Sequence, residues 1–461
     1  MGFILSLLII LLFLVYVYLN FGLWKKTKSF SILILQGIVY LYTFHGYLLL
    51  YLGGKIGYVY SKISYFYVYP YYANFDSYFY LSLFYQLIFA VLFLGIIYLL
   101  SCKIGKGMRS QEIARIDFRN IILLTAIILI INIYLWRAEF LGFILNGNIS
   151  YFSFKGVGGA SLWYAFSKIS LDFLSMILFF SIFVIFGVNR RFRERKFPSS
   201  PYLSALIFVL LGISLLFFFS VGDRLSLAIG VFFSYSLLLF DRNVDRKTGL
   251  KILFFLLMIF FLINSIRLIR TDVARESLGD TKIEIIKSYL LDLVITGESH
   301  PTFSLNAILK GEVDSFRGGS LKHALFIFIP NFVVKERPLS GYNFMVEQLE
   351  LDNYTGWGVH YSADWYMNFG VLGIIIGAIL LGLIFGGTYR LALRSEKWKF
   401  IFAGMIAILP LFFRNDGIAG FKNLVYYGIL GLIVYFVCYK SPKSFLSFCR
   451  YRFFKRDSLK Y

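Results

Sequence analysis

The chain has 461 residues, 59% of them hydrophobic and 20% aromatic, with only 15% charged. A soluble globular chain is nearer half apolar and a quarter charged, so this composition excludes a water-soluble protein. A formal net charge of +21 would suit nucleic acid, but Lys and Arg fall in short segments between apolar runs. No long basic helix or aromatic-interleaved soluble stretch is there to carry DNA or RNA, so nucleic acid is not expected as a partner.

The apolar runs are continuous and not alternating, which predicts an all-α polytopic integral membrane protein and not a barrel. About eleven spans are expected, at roughly 2–23, 30–52, 78–101, 119–135, 163–188, 201–220, 225–240, 251–266, 366–389, 399–413 and 423–439. The first run lacks a small-residue cleavage site and ends at Trp24-Lys25-Lys26, so it reads as a retained helix. The connecting segments after spans one, three, five, seven, nine and eleven hold more than half of all Lys and Arg, which marks them as cytoplasmic. The N-terminus is then outside and the C-terminus inside. Residues 1–266 read as transmembrane helices one to eight, 267–365 as a large outer loop, 366–439 as helices nine to eleven, and 440–461 as a basic cytoplasmic tail. Cys102, Cys438 and Cys449 fall at or beyond helix ends, and their spacing suits packing better than a disulfide or zinc site.

On the outside face, 53–77 is tyrosine-rich and suits the headgroup level. The loop 267–365 is the only one large enough for structure of its own. Within it, 281–296 places Ile286, Tyr289, Leu290, Leu293 and Val294 on one face, as for an interfacial helix. Residues 321–334 are apolar, too short to span and interrupted by Pro330, which suits a re-entrant or interfacial segment.

Charged groups at a membrane boundary are expensive and point to function. Arg224, in the turn Gly222-Asp223-Arg224, offers a planar fork for phosphate or pyrophosphate; pairing to Asp223 is its structural alternative. Arg267 and Arg270 share a helical face and run against the positive-inside bias, with Asp272 and Glu276 as local ion-pair alternatives. Arg337, held extended by Pro338, reads as a second phosphate clamp; a plain turn marked by Pro338 is its structural alternative. His360 and Asp364, four apart before span nine, suit general-base removal of a proton from a sugar hydroxyl; an interfacial His and a helix-start Asp are the plainer reading. Arg414-Asn415-Asp416-Gly417 is a charged turn between the last two spans, and His300 and His323 are weaker candidates. Lys168 and Asp172 are spaced as an i,i+4 pair. Glu312-Val313-Asp314 and Glu350-Leu351-Asp352 are weak metal signals, and no phosphate loop or dinucleotide fingerprint follows a strand. No cofactor and no metal are expected, because arginines can neutralise a phosphate directly.

Gly222-Asp223-Arg224, the run from Ile329-Pro330 through Arg337-Pro338 to Gly341-Tyr342-Asn343, the run from His360 through Asp364 to Asn368-Phe369-Gly370-Val371-Leu372-Gly373, and Arg414-Asn415-Asp416-Gly417 are similar to motifs of one family. In these stretches, and in topology over most of the chain, the sequence resembles the Wzy-type O-antigen and enterobacterial-common-antigen polymerases. The resemblance implies a GT-C-like membrane glycosyltransferase of the bacterial inner membrane, with its active site facing the periplasm. It implies transfer of a growing glycan from undecaprenyl pyrophosphate to the sugar end of a new lipid-linked repeat unit. In that frame His360 or Asp364 is the base, and Arg224, Arg267, Arg270, Arg337 and Arg414 hold pyrophosphate. Asp223, Asn343, Asp416 and His300 are further site candidates. Partners would be undecaprenyl-pyrophosphate-linked oligosaccharides, membrane lipids and a chain-length regulator. An O-antigen ligase, which delivers glycan to the lipid A core, is the nearest alternative. A flippase-type transporter is the rival from another class; it predicts repeats and mid-bilayer charges, whereas the charges here gather at the outer boundary.

Overall fold

The computed structural model describes residues 2–45, 47, 77–101, 118–146, 162–185, 201–221, 224–240, 304–327, 329, 337–350, 358–414 and 417–439. The eighth apolar run, the 281–296 segment, the tyrosine-rich 53–76, Cys102 and Cys449 lie outside the described residues. Among those described, the chain is all-helical: α1 Gly2–Thr27, α2 Phe30–Tyr40 with a π-helical continuation Leu41–His45, α3 Ser77–Ser101, α4 Phe118–Leu135, α5 Arg137–Asn146, α6 Leu162–Ile185 and α7 Pro201–Ser220. There follow α8 Arg224–Leu238, α9 Ser304–Leu309, α10 Gly319–Phe326, α11 Gly341–Gln348, α12 Tyr361–Ala392, α13 Glu396–Arg414 and α14 Phe421–Tyr439.

Five stretches are long and apolar enough to cross a membrane: Phe3–Thr27, Ser77–Ser101, Phe118–Leu135, Tyr361–Ala392 and Phe421–Cys438. In α1 only 6% of the most apolar stretch is buried, with Phe3, Leu11 and Tyr18 turned outward. A bare apolar cylinder of this kind is stable against lipid and not against water.

The chain divides into two compact units. In the first, built from 1–108, 280–391 and 408–427, α1 lies along α3. Gly22 allows the approach: a Cβ there would sit 3.1 Å from the Tyr98 ring, and the Lys26 ammonium stands 4.2 Å over that ring. α12 meets α3 through Gly382 and Gly386, where Cβ atoms would fall 2.9 Å from Ile96 and 2.6 Å from Leu100. This small-xxx-small spacing lets two backbones close up, and dispersion between them supplies the stability that lipid solvation cannot.

One feature of α12 departs from the expected span at 366–389. Gly370 sits at φ 61°, ψ −147°, and divides the element into 361–369 and 371–392. The two pieces fold back on each other. The Tyr361 hydroxyl donates to the Gly377 carbonyl at 3.2 Å, although sixteen residues of straight helix would separate them by about 24 Å. Glycine makes this possible three times over. Gly370 supplies the positive φ that other residues resist. A Cβ at Gly373 would lie 2.1 Å from the Trp365 carbonyl oxygen, and one at Gly377 2.6 Å from the Trp365 ring.

In the second unit, from 109–279, 392–407 and 428–461, α6 packs on α8 at Gly230, where a Cβ would sit 2.7 Å from the Ser175 carbonyl oxygen. A polar seam runs along α6. Asn132 of α4 donates to Ser170 at 2.8 Å and accepts from Ser167 at 2.7 Å, while the Trp136 indole also donates to Ser167 at 2.7 Å. One turn on, Lys168 pairs with buried Asp172 at 2.9 Å and donates to Ser226 of α8 at 2.6 Å, so the expected i,i+4 pair is present.

Candidate functional site

The short helix 361–369 carries a buried carboxylate that ties distant parts of the first unit together. Asp364 lies in its first turn, where the helix dipole favours a negative charge, and is fully buried. Its Oδ1 accepts from the Ser320 hydroxyl at 2.5 Å and the Asn368 amide at 2.9 Å; its Oδ2 accepts from the backbone N–H of Ile418 at 2.7 Å. Asn368 in turn accepts from the Ser320 backbone N–H at 3.2 Å. Burying a carboxylate costs several kcal/mol; hydrogen bonds to a charged group offset about 1.5–3 kcal/mol each. Three such bonds are enough to hold the ion in place.

Two glycines set the fit. A Cβ at Gly341 would fall 2.4 Å from Asp364 Oδ1, and one at Gly417 2.5 Å from Oδ2. The backbone therefore presses on the carboxylate from two sides, and no larger residue fits at either place. Gly341 opens α11, whose N-cap Ser340 accepts from the Asn343 backbone N–H at 3.2 Å. Ser320 is the second residue of α10. The positive ends of two helix dipoles thus add to the hydrogen bonds around Asp364.

His360 stands immediately before that helix and accepts its first backbone bond, from Asp364 N–H, at 3.0 Å. The imidazole is fully buried, stacked on Phe413 at 5.3 Å between ring centroids and edge-on to Phe89 at 5.9 Å. Its Nδ1 lies 2.7 Å from the Ser362 hydroxyl oxygen, which donates to the Gln86 carbonyl at 2.9 Å. Nδ1 also accepts from the Ser362 backbone N–H at 3.2 Å and faces the Gln86 amide nitrogen at 3.4 Å, so it is the acceptor nitrogen of the ring and the proton sits on Nε2. The Nε2–H is then a buried donor, with no hydrogen-bond partner among the described residues. Burial pushes the imidazole down to about 3, so the ring is neutral at physiological pH.

Arg337 lies four residues ahead of Gly341, half-buried, with one terminal nitrogen donating to the Ile329 carbonyl. Its Nε is buried and has no partner among the described residues. His323 Nδ1 donates to the Pro338 carbonyl at 2.6 Å and pins the turn that presents Arg337. The Asn343 side chain is exposed, and its backbone N–H donates to Ser340.

Of the residues singled out in the sequence, His360, Asp364, Arg337 and Asn343 therefore fall within one unit and one neighbourhood. Arg414 closes α13 and Arg224 heads α8, but their side chains lie outside the described part. Asp223, Arg267, Arg270, His300 and Asp416 also lie outside the described residues. The sequence reading did not single out Ser320, Gln86 or Ser362. Asn368 was quoted only within a motif, although its i+4 spacing from Asp364 was a usable signal. Ser320 and Gln86 come from 44 and 276 residues away from the residues they bond, and nothing local marks them. Among the described residues no cluster of His, Cys, Asp and Glu is arranged to hold a metal.

Comparison with protein-family models, with curated proteins and with solved structures finds no match.

Proposed function

We propose that the protein is a membrane glycosyltransferase that polymerises lipid-linked oligosaccharide repeat units. It would transfer the growing glycan from undecaprenyl pyrophosphate to the terminal sugar of a new lipid-linked unit, at the periplasmic face of a bacterial inner membrane. The observation that carries this reading is convergence. Three stretches that resemble the polymerases, separated by up to about ninety residues of chain, meet at one carboxylate. They are the run through Arg337-Pro338 to Asn343, the run from His360 to Gly373, and the turn ending at Gly417.

The chemistry available there fits the transfer. The acceptor hydroxyl attacks the anomeric carbon, and the bond from that carbon to the pyrophosphate oxygen breaks. The electron pair leaves on pyrophosphate, whose charge a guanidinium can take up through a planar fork. The hydroxyl proton passes to His360 or Asp364, the two candidate bases; the imidazole takes it at Nδ1 and the carboxylate at an oxygen. Asp364, engaged by three donors, also holds the arginine segment and the glycine turn in register with His360.

Electrophoresis of surface glycan from cells lacking the protein tests the reading. A ladder reduced to a single repeat on the lipid A core is expected, and Arg337→Ala should reproduce it while the protein still inserts. Long polymer stranded on the lipid carrier would instead assign a ligase. An unchanged ladder would reject both and return the transporter to first place.

A further inference from the structure

We propose that α10 and the turn before it dock on the anionic headgroup layer of the bilayer, with two leucines reaching into the acyl boundary. The helix has two unlike faces. Ser320 and His323, three residues apart, face the protein: Ser320 donates to Asp364 and His323 to the Pro338 carbonyl. Leu321 and Leu325, four apart, are exposed on the other side, Leu325 by 75%. Lys322, also exposed, flanks that stripe. An apolar run too short to span says only that lipid is near; the bonds of α10 decide which face is left for it.

The exposed leucines continue the lipid-facing side of α12. The turn Phe316–Gly319 is closed by the Gly319 N–H, which donates to the Phe316 carbonyl at 2.9 Å. The Phe316 N–H donates to the Met367 carbonyl, also at 2.9 Å, three residues before the fold-back at Gly370. The Phe369 ring lies against the turn, 3.8 Å from where a Cβ of Gly318 would be. From there the exposed Leu372 and Ile376, one helical turn apart, lead along the outward side of the span. The turn and α10 therefore stand where that span begins, at the level where hydrocarbon gives way to headgroups.

The charges fit that level. Arg317, at the tip of the turn, and Lys322 are both exposed, and neither is in an ion pair among the described residues. Lipid phosphates supply the counter-charge, and cations flanking an apolar stripe are the pattern of a helix lying in the interface. Arg317 has φ 47°, in the left-handed region that a residue with a Cβ resists and that glycine takes freely. Glycine would serve the turn better; arginine strains it and puts a cation at its tip. The docking does not depend on the polymerase reading. Its consequence for the site is positional: Ser320 belongs to α10, so the seat on lipid sets the depth at which Asp364 is held.

Spin labels on the full-length protein in nanodiscs test the proposal, with Cys102, Cys438 and Cys449 replaced by alanine. A nitroxide carried on Leu325→Cys should be reached by oxygen and shielded from a water-soluble nickel chelate. One on Glu347→Cys, an exposed position of α11, should show the reverse. Adding phosphatidylglycerol to phosphatidylcholine nanodiscs should move the label at 325 deeper, and Arg317→Gln with Lys322→Gln should abolish that shift. Thermal unfolding without labels is the second measurement. In phosphatidylcholine Arg317→Gly should unfold above the wild type, because the strain is gone, yet phosphatidylglycerol should raise it by about 2 °C less. A label at 325 open to nickel would put α10 in water and overturn the proposal. A label closed to both reagents would mean that protein covers the helix, from this chain or a second copy, and would overturn it equally. A label in lipid that ignores phosphatidylglycerol, or an equal gain for wild type and Arg317→Gly, would overturn the headgroup contact.

Discussion

Two buried carboxylates, one in each unit, are held in opposite ways. Asp172 takes its partner from its own helix, Lys168 one turn back, and adds the Ser226 hydroxyl from the neighbouring helix α8. Asp364 gathers a hydroxyl from α10, an amide from its own helix and a backbone N–H from the turn before α14, with glycines of two further segments against its oxygens. The first arrangement is a local ion pair that joins two helices. The second is a junction that fixes separate strands of sequence, and it sits among residues suited to chemistry. A buried charge therefore does not by itself mark a site; what it holds together does.

The difference predicts unequal effects of the same substitution. Asp364→Asn keeps the shape but puts an amide N–H₂ where donors now converge, so either Ser320 or Ile418 faces a donor. Loss of about 3–4 kcal/mol is expected, and on the proposed polymerase function a loss of chain extension with it. Asp172→Asn leaves Lys168 without its carboxylate, but the Lys168 side chain is 21% exposed and its ammonium keeps the Ser226 hydroxyl, so about 1–2 kcal/mol is expected. Thermal unfolding of both variants reads the contrast, and Lys168→Met should recover part of the Asp172→Asn loss. Equal losses would mean that Asp364 is only another structural ion.

How much of this was legible in the sequence follows the same division. Helix limits were: the runs read at 78–101, 119–135 and 201–220 are Ser77–Ser101, Phe118–Leu135 and Pro201–Ser220, because lipid demands unbroken apolar helix and the charged boundaries show where it stops. The Lys168–Asp172 pair was legible because its geometry is helical spacing alone. The fold-back at Gly370 was not. It depends on Gly370, Gly373 and Gly377 acting jointly on Trp365, and each glycine alone reads as ordinary in an apolar helix. The positions of His360 and Asp364 were visible, but the Ser362–Gln86 relay and the aromatic enclosure come from long-range contacts that no local pattern encodes.

His360 sharpens the contrast through pH. Its folded value is lowered to about 3 by burial against an ordinary value of about 6.5. Above about 6.5 the ring is neutral whether the site is closed or open, and stability is full. As pH falls below that, the opened state binds a proton that the buried ring refuses, and stability is lost progressively towards pH 3. About 2 kcal/mol should be gone by pH 5. His360→Gln should flatten that part of the unfolding profile, whereas Asp172→Asn should leave it in place. A wild-type profile flat between pH 7 and 5 would show that the imidazole reaches water, and with it the enclosure by Phe89 and Phe413 would fail.

The smallest effect separates capping from chemistry within α11. Ser340 accepts from the Asn343 N–H as N-cap, so Ser340→Ala should cost about 1 kcal/mol. The Asn343 side chain is exposed, and Asn343→Ala keeps the backbone donor, so its stability should change by no more than about 0.5 kcal/mol. The two variants therefore reverse their order if glycan length is measured in place of unfolding. Ser340→Ala should leave the ladder near normal, because a frayed cap still presents Gly341 to Asp364. Asn343→Ala should shorten it if that amide meets the sugar or the pyrophosphate, since a side chain with no structural duty has only a ligand to lose. A normal ladder from a fully stable Asn343→Ala protein would remove Asn343 from the site and leave the segment's contribution to Arg337 and Gly341 alone.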